Sequence, residues 1–237
     1  MRIKDLLFEQ ADFVTVNRRL NPKLWDKDVL KPEIKKQLIK IAEVFKEFIG
    51  IDIEVIDYTI TGSNANYMWT AYSDLDLHII VKGMPDEKER ELFNAKKALW
   101  SEEHNITVKG LPVECYVQGS EEEHHSTGVY SILADRWLEK PKKVKPKIDD
   151  AAVKAKKNSL HHDIETALLS KDITKLRTVK QKITQMRKAG LEKAGEWSTE
   201  NLVFKILRNL GMIDKMTQEI RDLEDQELSL ETAPVLQ

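Results

Sequence analysis

The chain has 237 residues, 41% of them hydrophobic and 33% charged, with a formal net charge of −2, a balance that suits one large or two modest globular domains with a real core. Its single cysteine, Cys115, excludes an internal disulfide and a cysteine-based metal cluster and fits a reducing cytoplasm. No apolar run approaches the roughly 18 residues of a membrane span, and the first thirteen residues carry acidic groups where a signal peptide would be apolar, so the expectation is a cytoplasmic protein, neither exported nor anchored.

In chain order, residues 4–11 predict a short amphipathic helix with Leu6, Leu7 and Phe8 on its apolar side, and Trp25 is expected to pin this arm to the body. Pro32 opens a second helix, in which Ile34, Leu38, Ile41, Ala42, Phe45, Phe48 and Ile49 recur at helical spacing until Gly50 stops it. The β-branched run Ile53, Val55, Ile56, Tyr58, Ile60 predicts a strand, ended sharply by Gly62-Ser63. Residues 64–69 then suit a short helix.

Leu75, Leu77, Ile79 and Val81 alternate with Asp74, Asp76, His78 and Ile80, a period of two that sets Asp74, Asp76 and His78 on one face of a strand. The two carboxylates stand about 7 Å apart at Cα by strand rise. Such neighbours repel unless a cation sits between them. Mg²⁺ meets that need, because it takes oxygen ligands and commonly binds one or two carboxylates plus substrate phosphates. Gly62 permits close backbone approach by a phosphate, and Ser63 offers a hydroxyl and an N–H.

After a turn at 82–85, residues 86–102 predict a helix with Leu92, Phe93, Ala95, Lys96 and Leu99 along one side. Residues 105–109 and 111–118 follow as strands separated by Gly110, a hairpin that would deliver Glu114 beside Asp74 and Asp76, with Tyr116 and Gln118 on the same polar face. In the loop 119–128, Ser126 or Thr127 is read as capping a turn or touching phosphate, and the acidic triplet 121–123 with His124 and His125 lacks the spacing of a metal site. Tyr116 or Tyr130 suits stacking on a base, although Tyr130 reads equally as core.

The proline-bracketed basic stretch 140–149 is the expected linker between a domain at 1–139 and a helical domain at 150–227, with 228–237 a disordered tail. Helical patterns cover 150–169, 173–193 and 199–227, with Ser198-Thr199 as an N-cap, and Gly211 as a bend or break in the last. Their apolar faces require a bundle. Between Arg136 and Gly195 there are 17 Lys plus Arg against 7 Asp plus Glu. That block would draw in a triphosphate or RNA, or else serve as a solvated helical face.

Gly62-Ser63, ten intervening residues, and Asp74-Leu75-Asp76 resemble the Gly-Ser-x10-Asp-x-Asp signature of the polymerase-β-like nucleotidyltransferase superfamily. The resemblance covers about residues 51–118; Ser73 before the acidic pair and the apolar run after it also match small members. It implies an α+β or α/β fold, a mixed sheet with flanking helices, joined here to a C-terminal helical bundle. It implies an enzyme transferring a nucleoside monophosphate from an NTP to a hydroxyl, with two Mg²⁺ or Mn²⁺ ions on Asp74, Asp76 and a third carboxylate. Glu114 fills that third place, where the family more often has Asp. Gly62, Ser63 and Asn64 would hold the nucleotide, Tyr130 its base, and Lys156, Lys157 and Lys180 the triphosphate, since family members often append helices that wall the cleft. The segments LNPKLWD and STGVYSIL resemble nucleotidyltransferase-like proteins of tailed phages. The acceptor stays open between an RNA 3′ end, a nucleotide, a protein and a small molecule; the rival readings are a non-catalytic nucleotide- or RNA-binding module and an antitoxin-like enzyme that modifies one protein.

Overall fold

A computed structural model describes residues 16–122, 124, 126–143 and 148–229. The expected N-terminal helix, the end of the tail, and parts of the linker and of the acidic loop lie outside the described residues. The chain divides into two compact units at the junction of Lys145 and Pro146.

The first unit is α+β. A two-residue hairpin, β1 (Trp25–Asp26) and β2 (Val29–Leu30), precedes α1 (Pro32–Ile49). Proline at its first turn suits α1, six apolar side chains from Ile34 to Ile49 bury one stripe, and Gly50 ends it at φ 76°. The main sheet has six strands, β3 (Val55–Thr61), β4 (Leu75–Val81), β5 (Thr107–Val108), β6 (Leu111–Gly119), β7 (Val129–Ser131) and β8 (Arg136–Glu139), in the spatial order β5-β6-β4-β3-β7-β8. All neighbours are antiparallel except β4 and β6. A parallel pair needs a crossover. Here the crossover is α2 (Glu87–Glu103), which packs on β6 and on α1.

The alternation of β4 and β6 divides the sheet into two unlike faces. Leu75, Leu77, Ile79, Val81, Leu111 and Cys115 join the core with Phe45 of α1 and Phe93 and Trp100 of α2. Trp100 meets Phe45 and Phe48 edge-on at 5.3 and 5.2 Å between ring centroids. The helix α2 therefore buries Phe93 and Trp100, while Leu99, expected on the apolar side, is 43% exposed. The opposite face carries Thr61, Asp76 and Glu114 in one row and Thr59, His78 and Tyr116 in the next.

The second unit is helical: α3 (Asp150–Ser170), α4 (Ile173–Ala194), α5 (Thr199–Asn209) and α6 (Met212–Leu228). The last expected helix is two, because Gly211 takes φ 69° and the chain turns there. Ser198 caps α5 by accepting from the Asn201 N–H at 3.2 Å. Leu160, Ile164, Leu176, Ile183, Leu202, Ile206, Leu207 and Met216 form its buried interior. No described helix is long and apolar enough to cross a membrane.

Candidate active site

Parallel pairing of β4 with β6 sets Asp76 beside Glu114 and His78 beside Tyr116. Antiparallel pairing of β3 with β4 sets Thr61 beside Asp76, so the chain turns at Gly62 directly above that carboxylate. A Cβ on Gly62 would lie 1.9 Å from Asp76 Oδ2. The glycine backbone, at φ 69° and ψ −158°, also occupies a region essentially closed to other residues. The glycine at this corner thus makes room for the acid.

Asp74 stands one pleat before Asp76, just ahead of β4. Its placement is fixed by Asn64, whose Nδ2 donates to the carbonyls of Ser73 at 3.3 Å and Asp74 at 2.7 Å. Asn64 is itself fully buried. Its Oδ1 accepts from Asn21 Nδ2 at 2.7 Å and its carbonyl from Trp25 Nε1 at 2.8 Å. Asn64 is therefore a clamp inside the protein, not the nucleotide contact expected of it. The helix expected at 64–69 is a 3-10 turn, Ser63–Ala65. Burial of the Asn64 and Ala65 side chains anchors that turn and leaves Gly62 and Ser63 half-exposed at its start.

Residues 126–128 lie against this corner. Ser126 Oγ accepts from the Gly62 N–H at 3.1 Å and donates to the Gly128 carbonyl at 2.9 Å, while Thr127 Oγ1 accepts from Asn66 Nδ2 at 3.2 Å. Ser126 thus bonds the backbone on both sides of the corner, and Thr127 bonds the Asn66 side chain.

Lys97 and Tyr116 both hold Glu114. Lys97 Nζ lies 3.1 Å from its Oε2, and the Tyr116 hydroxyl donates to the same oxygen. The same ammonium stands 3.5 Å from the centre of the Tyr116 ring. Burial first, and then the carboxylates of Asp76, Glu114 and Asp74, push the Tyr116 phenol far above its usual value. All three acids therefore act on one hydroxyl. Beside it His78 stacks on Tyr116 at 4.8 Å; its Nδ1 meets Gln118 Oε1 at 2.8 Å and its Nε2 meets Thr61 Oγ1 at 3.0 Å. Burial lowers the imidazole to about 4, so it is neutral near pH 7, with Nδ1–H donating to Gln118 and Nε2 accepting from Thr61. That makes it a strut of the polar face and a poor proton acceptor.

Among the described residues, no group of three or more His, Cys, Asp or Glu is disposed to hold a metal ion. Asp74 and Asp76 supply oxygen donors of the Mg²⁺ type from one strand edge, but Glu114 is turned to Lys97 and Tyr116. The expected trio of acids is therefore not gathered at one point, since Glu114 is committed to Lys97 and Tyr116.

Tyr130 is 1% exposed, edge-on to Trp25 and Trp137 at 5.0 and 5.1 Å, and its hydroxyl donates to Asp135. It belongs to the core and cannot stack on a base. In the helical unit, Lys156 pairs with Glu200 and Lys157 is buried, so both have structural roles there in place of the expected triphosphate contacts.

Lys97 escaped the sequence reading. Its signal was present: Phe93, Lys97 and Trp100 fall at i, i+4 and i+7, so the lysine stands on the buried stripe of α2. A search of family models, curated proteins and solved structures found no match to the chain.

Proposed function

We propose that the protein is a metal-dependent nucleotidyltransferase, which moves a nucleoside monophosphate from an NTP to a hydroxyl acceptor and releases pyrophosphate. The observation that carries this reading is the glycine corner beside Asp76, which has room for that carboxylate and no side chain more. Mg²⁺ bound at Asp74 and Asp76 would offset triphosphate charge and favour loss of the acceptor's proton.

The chain's own residues supply the positioning. Asn64 fixes Asp74 through its carbonyl. The Ser126 hydroxyl accepts from the Gly62 N–H and steadies the corner against which the phosphates would lie. Ser63, half-exposed beside it, is the residue whose hydroxyl would meet the triphosphate. Lys97 adds a fixed positive charge at the far end of the acidic row. Such preorganised charge is effective because it needs no rearrangement when the reaction begins.

Incubation with each labelled NTP, Mg²⁺ or Mn²⁺ and mixed acceptors tests the reading, with Asp76→Ala expected to abolish label transfer while thermal melting stays within a few degrees of wild type. Undiminished transfer by Asp76→Ala would remove the assignment. A second reading, a non-catalytic nucleotide-binding module, is favoured by the pairing of Glu114 with Lys97. It requires NTP binding without turnover even with Mn²⁺ and a broad set of acceptors, RNA, protein and small hydroxyl compounds among them.

A further inference from the structure

We propose that Lys97 occupies, at Glu114, the place of a second divalent ion, so that the site takes a single ion on its Asp74 and Asp76 side. This rests on the metal-dependent reading above and concerns how the positive charge in that site is divided. The ammonium lies 3.1 Å from Glu114 Oε2 and 3.5 Å from the centre of the Tyr116 ring. Oε2 also accepts from the Tyr116 hydroxyl, so one carboxylate oxygen carries two donors. Donors so arranged hold the carboxylate away from a shared ligand shell, in keeping with the lack of a three-acid metal group among the described residues.

The lysine cannot easily withdraw. It rises from the stripe of α2 that buries Phe93 and Trp100, its side chain is 25% exposed, and its charge rests on an aromatic face. A second divalent ion at Glu114 would have to approach this ammonium at close range, where like charges in a half-buried site repel strongly. Glu114 is then an anchor for Lys97. A longer side chain than aspartate suits that task, since it must reach both the ammonium and the phenol.

The test titrates Mn²⁺ into the full-length protein and counts bound ions from the loss of the free-ion EPR signal. Wild type is expected to bind a single Mn²⁺, Lys97→Arg a single one, and Lys97→Met a second one at lower affinity. Adding Glu114→Gln to Lys97→Met should return the count to a single ion, and Glu114→Gln alone should leave it there. Two ions in wild type, an unchanged count in a folded Lys97→Met, or loss of the ion in Glu114→Gln would each overturn the inference. Should neither wild type nor Lys97→Met bind Mn²⁺ at all, the metal-dependent reading would fall and this inference with it; two ions in wild type would overturn the role of Lys97 alone.

Discussion

At Gly62 the absence of a side chain does two separate things. It allows φ 69° with ψ −158°, and it leaves the space that Asp76 Oδ2 enters. Gly62→Ala must strain the backbone and displace the carboxylate together, and strain of this kind costs about 1–3 kcal/mol. The expected outcome is a lowered melting temperature and loss of Mn²⁺ binding. Gly110→Ala is the control: its φ of 75° is also left-handed, but the nearest atom to an added Cβ is the end of Lys23 at 3.9 Å. It should cost about 1 kcal/mol and leave ion binding intact. Equal effects of the two variants on Mn²⁺ affinity would show that Gly62 does not shape the acidic corner.

The helix α2 shows how far pattern alone reaches. Its start was expected after the turn at 82–85, and the structure adds a capping box there: Asp86 accepts from the Glu89 N–H at 2.8 Å and Glu89 from the Asp86 N–H at 2.9 Å. Phe93 stands on the expected apolar side and is buried, but Leu92, Lys96 and Leu99 fit a stripe nearly as well as Trp100 does. Trp100 wins because it packs edge-on against Phe45 and Phe48. Hence Lys97 was missed. The strands fared better: strict alternation exposed the acidic face of β4 and the polar face of β6, but alternation carries no register, and only the crossover by α2 aligns Asp76 with Glu114. Asn64 was expected at the nucleotide, and Tyr130 there or in the core, because a polar amide and an aromatic near a motif look the same whether they face solvent or the interior; buried Asn21 and Trp25 claim both, by hydrogen bonds to Asn64 and by an edge-on ring contact with Tyr130, across long sequence separations. Removing one half of the capping box, Asp86→Ala, should cost about 1 kcal/mol. Because the two bonds are reciprocal, the double variant Asp86→Ala, Glu89→Ala should cost less than the sum of the singles in chemical denaturation; strict additivity would mean that the box does not act as a unit.

Across the whole molecule, charge is distributed differently in the fold from its distribution along the sequence. The segment from Arg136 to Gly195 is strongly basic when read linearly, yet acids from outside it return to meet its cations. Lys140 pairs with Asp28, Lys156 with Glu200, Lys171 with Glu219 and Arg177 with Glu224, the last two at 2.6 Å. Such surface pairs add little stability, typically under about 1 kcal/mol each. Their effect on the local field is larger, because each removes a charge from the pool able to displace counterions from a phosphate backbone. For single-stranded nucleic acid the logarithm of the binding constant falls with the logarithm of salt by about 0.7 per phosphate neutralised. Fluorescence anisotropy with a labelled RNA reads that slope, and with these four cations paired it should be shallower by about 3 than the same segment would give uncompensated. Replacing Glu200, Glu219 and Glu224 with glutamine should free three cations and steepen the slope by about 2. A steep slope in wild type, unchanged in that triple variant, would instead mean that the basic segment meets RNA with its charges uncompensated and that these pairs open in solution.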